Sequence, residues 1–163
     1  MNTEKLENNI NKIKERLPET FNEVLYLVVP FYKLHQKIFD GTVSIQEDKY
    51  NITNSEFDVM RCIKMSQSED NTLSPTQIYQ KLMFTSGAIT KVLKKLEKKQ
   101  YIIRLATEYD KRSKLVQLTK AGHKVIQKAI LDVFAFEEEC FSHLNEEEKK
   151  TFKNLTMKML QKI

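Results

Sequence analysis

A chain of 163 residues with three glycines, three prolines and two cysteines is sized for one folded unit and is short of the residues that break helices. Two thiols far apart, Cys62 and Cys140, exclude a disulfide framework and agree with a reducing compartment. The net charge of +5 is unevenly placed: residues 74–120 carry eleven Lys/Arg against three Asp/Glu, a net of +8, and the rest carries −3. A basic centre between weakly acidic arms points to a polyanion as partner for the centre alone.

In chain order, Met1-Asn2-Thr3-Glu4 opens polar and acidic, unlike a targeting segment. Leu6, Ile10, Ile13 and Leu17 recur at helical spacing and form an apolar stripe on a short leading helix that Pro18 interrupts. A second helix is predicted over residues 19–39, rich in Phe21, Leu25, Val28, Phe31, Tyr32, Leu34, Ile38 and Phe39. The Asp40-Gly41 pair is its expected stop, and residues 41–52 read as a loop. The longest near-apolar run, 24–32, contains Pro30 and is too short to span a bilayer, so a soluble, cytoplasmic protein with no membrane partner is expected.

Later helix starts announce themselves through capping residues. Thr53 with Glu56 opens a helix over 55–65, and Ser74 with Gln77, with Pro75 at the first helical position, opens one over 75–83. Asn145 with Glu148 opens the last helix in the same way; Thr119 caps a long helix without an acidic partner, because Gly122 stands in that place. Residues 85–99 read as a further helix, and the apolar runs 101–106 and 115–118, joined by the polar stretch 107–114, read as a β-hairpin. The expected order is five helices, a hairpin, a long helix and a final helix, a mainly α chain with a small β element and no internal repeat.

Stepping 100° per residue along 85–99 places Ile89, Val92, Leu93 and Leu96 on one side and Gly87, Thr90, Lys91, Lys94 and Lys98 on the other. Double-stranded DNA requires this division. The major groove admits a helix, small residues at its leading end permit close approach, hydroxyls reach base edges or phosphates, and lysines neutralise the backbone. Thr85, Ser86 and Gly87 also bring free backbone N–H groups to a helix start, where a phosphate oxygen is favoured. A lysine-rich helical face can equally be a solvated surface. Here it follows a capped helix and a short turn at Phe84-Thr85, which is helix-turn-helix order, and the charged loop after it has the position of a wing.

Over residues 53–122 the chain resembles the MarR family of winged helix-turn-helix regulators. The matching features are the stretch LMFTSGAITKVLKKLE at 82–97, Ile102-Ile103-Arg104, the D-x-R of Asp110-Lys111-Arg112, and Leu118-Thr119-x-x-Gly122. The resemblance implies a mainly α, α+β winged-helix fold as a single domain, with the reading head at 53–119 and dimerisation helices at 1–40 and 120–163. It implies that Thr85, Ser86, Gly87, Thr90, Lys91 and Lys94 face the major groove, that Ser74 and Thr76 touch phosphate, and that Arg112 at the wing tip enters the minor groove. Arg104, Lys111 and Lys114 complete the DNA-facing set, and Asp110 pairs with Arg104 to stabilise the wing; an incidental surface ion pair is the other reading of those two. One residue departs from the pattern: Gln100 stands where the family commonly has glycine, so the exit of this helix either adopts another conformation or carries strain of roughly 1 kcal/mol.

The apolar stripes at both chain ends exceed what a small winged domain covers, which suggests a partner subunit; packing within one chain is the alternative. A twofold dimer reads half-sites about one helical turn apart. The resemblance places Tyr26, Phe31, Tyr32, His35 and Phe39, with Met60 and Arg61 on a facing helix, beside a pocket for a small aromatic or phenolic effector; aromatic residues at helical spacing also serve as plain core. Cys62 and Cys140 are candidates for redox sensing or simply small apolar residues, with Arg61 and Lys64 able to lower the Cys62 pKa if it is exposed. Cys140 and His143, near Glu137 and Glu139, fall short of a metal site, and no metal or cofactor is expected. No nucleophile–base pair, glycine-rich phosphate loop or paired catalytic carboxylates support an enzyme. The expectation is a sequence-specific DNA-binding regulator, a repressor acting as a homodimer on a pseudo-palindromic operator and released by a small molecule or oxidant. The alternative is a winged module for protein assembly.

Overall fold

The computed structural model describes residues 3–66, 71–106 and 114–161, with the side chains of Ala106 and Lys114 left aside. The chain falls into two units, one ending at Gly41 and one beginning at Thr42.

The first unit contains α1 (Thr3–Arg16) and most of α2 (Leu25–Ser44). Helix α2 starts six residues later than the pattern over 19–39 predicts. Asn22 is the reason: its Oδ1 accepts the Val24 N–H at 2.9 Å, a local turn that competes with helix. Lys14 bridges to Glu23 at 2.9 Å, the Tyr26 hydroxyl donates to Asn11 Oδ1 at 2.6 Å, and Phe21 meets Tyr26 edge to face. Pro30 sits inside α2, where its missing N–H costs one intrahelical bond.

The expected stop at Asp40-Gly41 and the loop over 41–52 are both corrected. Helix α2 runs through Gly41 to Ser44 and widens into a π-helical segment, Ile45–Lys49. A glycine ends a helix by turning left-handed, and no described glycine has positive φ. The left-handed turn comes at Asn51, φ 52°, and Ile52 N–H then closes back on the Gln46 carbonyl at 3.1 Å. Within the second unit, Ile52 is buried in the core, half-buried Ile45 and Tyr50 pack against it and Gln46 is buried, packing that a reading of local stop signals does not contain.

The second unit is built around α3 (Asn54–Lys64), α4 (Pro75–Leu82), α5 (Ser86–Lys98) and α6 (Lys120–Phe141), followed by α7 (Glu146–Leu160). The three reciprocal caps form as expected at Thr53/Glu56, Ser74/Gln77 and Asn145/Glu148, and Thr119 Oγ1 accepts the Gly122 N–H at 3.0 Å. The hairpin forms from β2 (Ile102–Ala106) and β3 (Lys114–Leu118), antiparallel, with Ile102 opposite Leu118 and Arg104 opposite Val116. A third strand escaped the sequence pattern: Thr72–Leu73 pairs with the other edge of β3, Leu73 opposite Val116. Two residues are too few to show alternation, and only the partner strand makes them a strand.

One core joins these elements other than α7. Phe57, Met60 and Ile63 of α3, Ile78 of α4, Ile89, Leu93 and Leu96 of α5, Val116 and Leu118 of β3 and Ile126 of α6 are all buried in it. Burial of one such aliphatic side chain is worth about 1.5–3 kcal/mol, so this core fixes the direction of α5. Gly122 has a structural task in the same region. A Cβ there would overlap the Tyr101 carbonyl oxygen, which instead accepts the Thr119 N–H at 3.0 Å, so only glycine lets α6 start against the Tyr101 backbone, just ahead of β2.

Candidate nucleic-acid interface

Helices α4 and α5 are joined by Met83, Phe84 and Thr85. Met83 takes φ 54°, reversing the chain at the cost of a left-handed non-glycine residue, while half-buried Phe84 anchors the turn in the core. Thr85 then caps α5, its Oγ1 accepting the Ala88 N–H at 3.2 Å. The two helices form a helix-turn-helix in which α5 has one buried side and one exposed side.

The buried side is Ile89, Leu93 and Leu96, with Val92 half-buried. The exposed side carries Ser86, Gly87, Ala88, Thr90, Lys91, Lys94, Lys95 and Lys98. Ala88 and Lys95 were not singled out by the sequence reading, although the same periodicity would have found them. Thr90 differs in chemistry from its expected role: its hydroxyl donates to the Ser86 carbonyl at 2.9 Å, so it presents a methyl group and an acceptor oxygen outward rather than a donor. Gly87 has open space around it; a Cβ would meet nothing within 4 Å.

Ser74 and Thr76 lie at the start of α4. Thr76 is exposed, whereas the Ser74 hydroxyl is half-buried and already accepts the Gln77 N–H at 3.2 Å. Arg104 on β2 donates from Nε to Glu97 Oε1 at 2.9 Å, tying the base of the hairpin to α5. Asp110, Lys111 and Arg112 lie outside the described residues, and with them the expected pairing of Asp110 with Arg104; Lys114 opens β3.

Gln100 resolves the two alternatives left open for the exit of α5. It is left-handed, φ 60°, and the exit is a Schellman turn: Tyr101 N–H reaches the Leu96 carbonyl at 3.0 Å and Gln100 N–H the Glu97 carbonyl at 2.9 Å. The Thr119 hydroxyl adds a bond to the Gln100 carbonyl at 2.8 Å.

Among the effector candidates, Phe31, Tyr32 and Phe39 are exposed, and His35 stacks on Phe39 with ring centroids 6.1 Å apart. Met60 is enclosed in the core. Arg61 bridges to Asp58 at 3.2 Å and lies over the Phe57 ring. Burial pushes the Cys62 thiol above its ordinary pKa, outweighing the opposite pull of Lys81 and Arg61; the lysine that acts on it is Lys81 rather than the expected Lys64. Both cysteines are half-buried and free, and no group of three or more metal-ligating side chains occurs among the described residues. No described helix is long and apolar enough to cross a membrane.

A capped helix-turn-helix, a reading helix with a basic outer face and a hairpin set against its exit define a winged helix-turn-helix protein. A family model described as MarR family matches residues 52–114. The chain is 30% identical over 160 residues to the HTH-type transcriptional regulator PrsX of Escherichia coli, spanning 98% of this chain and 94% of PrsX. With PapX, another HTH-type regulator of E. coli, identity is 35% over 68% of this chain and 66% of PapX. A solved structure of a cysteine-to-serine mutant of MarR from E. coli has the same fold, with a TM-score of 0.70 at 26% identity, covering 85% of this chain and 99% of that one. The same mutant complexed with operator DNA gives a TM-score of 0.64 at 23% identity, with the same coverage. The chain belongs to the MarR family of transcriptional regulators, and its fold and relatives are those of DNA-binding regulators rather than enzymes.

Proposed function

We propose that this chain is a repressor that binds a pseudo-palindromic operator as a homodimer and is released by a small-molecule or oxidant signal. The observation that carries the proposal is the division of α5, with its aliphatic side sunk in the core and its small, hydroxyl and ammonium side exposed. The operator complex of a MarR mutant supports the same use of this fold. In this reading Ser86, Gly87, Thr90, Lys91 and Lys94 enter the major groove, with Thr85 and Thr76 at phosphates. Arg112 and its neighbours Lys111 and Lys114 serve the minor groove and its backbone.

Terminal helices supply the second subunit, so that two reading heads lie about one helical turn apart. A signal molecule acts by binding one spacing of those heads more tightly than another. Tyr26, Phe31, Tyr32, His35 and Phe39 are the residues from which an aromatic effector would draw its contacts, and Cys62 and Cys140 are the groups an oxidant would modify.

Selection of binding sites from a random DNA pool, followed by salt titration, tests the proposal. A palindromic consensus and an affinity that falls steeply with salt while keeping its sequence preference are expected. Thr90→Ala combined with Lys91→Ala should lower the ratio of operator to random affinity by about tenfold or more, and Arg112→Ala should weaken operator binding without unfolding the chain. Equal affinity for all sequences, or none for DNA, would instead make the winged domain a protein-assembly module.

A further inference from the structure

Lys98 and Lys99 are adjacent in sequence and oppositely placed. Lys98 is exposed in the last turn of α5, while Lys99 caps that helix three residues beyond Leu96 and turns back into the protein. Its Nζ donates to Glu56 Oε2 at 2.8 Å and to the Asn51 carbonyl at 2.6 Å. The same Glu56 oxygen accepts the Thr53 N–H at 2.8 Å, so one carboxylate oxygen serves both the cap of α3 and the exit of α5.

Glu56 is 0% exposed, and its Oε1 has no hydrogen-bond partner among the described residues. Lys99 itself keeps 29% of its side chain exposed, and an ion pair whose carboxylate is buried with an unpaired oxygen is a poor source of stability, because the desolvation of that charge is only partly offset. Geometry is what such a pair supplies. Asn51, itself left-handed, the first turn of α3 and the C-cap of α5 are tied together through the one ammonium nitrogen of Lys99. Two residues earlier, Glu97 is tied to Arg104 of the hairpin, so the exit of α5 is held to two elements at once.

We propose that Lys99 is a positioning residue of the reading helix: through Glu56 it sets the angle at which α5 meets DNA, and it does not neutralise a phosphate. The proposal rests on α5 being the groove helix. It assigns the phosphate charge at this end of the helix to Lys98 and the alignment to Lys99, a division that the charge count alone conceals.

Three variants test it: Lys99→Met, which keeps the apolar stem; Glu56→Gln, which keeps an acceptor for the Thr53 N–H; and the two combined. The double variant leaves no uncompensated buried charge, so it folds even where a single change does not. Each is measured by circular dichroism and then against the wild-type consensus site and random DNA over a range of salt, beside Lys98→Ala. The double variant and each folded single variant are expected to lose about tenfold in the ratio of operator to random affinity, without additivity and with the wild-type salt slope. Lys98→Ala is expected to reduce the salt slope by about one and to leave the ratio unchanged. A Lys99 variant that loses slope as Lys98→Ala does, or a double variant with the wild-type ratio, overturns the positioning role. A wild-type chain that selects no sequence overturns the groove reading itself, and this role with it.

Discussion

Gln100 holds a left-handed conformation, φ 60°, that a side-chain-bearing residue adopts at a cost of about 1–2 kcal/mol. The Schellman bonds at Tyr101 and Gln100 and the Thr119 bond to the Gln100 carbonyl are all to backbone atoms, so glycine would keep every one of them. Gln100→Gly should therefore raise stability by about 1 kcal/mol, read as a higher urea midpoint; an unchanged midpoint would show that the side chain offsets the strain. Gly122 is the opposite case, since a side chain there meets the Tyr101 backbone. Asp132 on α6 accepts from the Tyr50 hydroxyl at 2.9 Å and from Lys49 at 3.2 Å, and these contacts hold its carboxyl below the usual range. A carboxyl with a lowered folded pKa contributes stability above its unfolded value, near pH 4, and that stability is lost as pH falls through the lowered one. The stability gap between wild type and Tyr50→Phe should accordingly narrow as pH is taken below about 4, a trend that denaturation at several pH values would reveal or refute.

Among the elements, those whose signals are local were legible. The helices α3, α4, α6 and α7 each begin at a side chain that bonds the backbone three residues on, and such bonds are written within four letters of sequence. The face of α5 was legible for the same reason, since helical period alone separates Ile89, Leu93 and Leu96 from Thr90, Lys91 and Lys94. What the period could not tell is why Gly87 is glycine. Neither positive φ nor crowding requires it, and alanine is the better helix former by about 1 kcal/mol. Gly87→Ala should thus leave the urea midpoint equal or higher while weakening operator binding, because the added methyl group would occupy space reserved for the duplex. Wild-type operator affinity in this variant would show that α5 does not approach that closely. The end of α2 and the short strand Thr72–Leu73 were not legible, because each depends on a partner distant in sequence.

For the molecule as a whole, the apolar side chains outside the core are concentrated on the helices proposed to dimerise. Leu131 and Phe134 of α6 and Leu155, Met157, Met159 and Leu160 of α7 are each more than half exposed in the single chain. Near the α6–α7 corner an apolar hollow of about 410 Å³ is lined by Leu144, Thr151, Phe152 and Leu155, among others. Sedimentation equilibrium should find a dimer, and Leu155→Glu with Leu160→Glu should give a folded monomer with sharply reduced operator affinity. A wild-type monomer, or a double variant that still dimerises, would place the subunit contact elsewhere.

The order of helices and hairpin, the caps that start them and the basic side of α5 were determined by the sequence itself, since capping bonds, helical period and charge placement all act within a few residues. Tertiary structure alone decided that α2 continues through Gly41, that Gln100 bears the strain of a glycine position, and that Lys99 turns inward to Glu56. These outcomes turn on which distant surface offers burial or a counter-charge, and that energy exists only once the chain has folded.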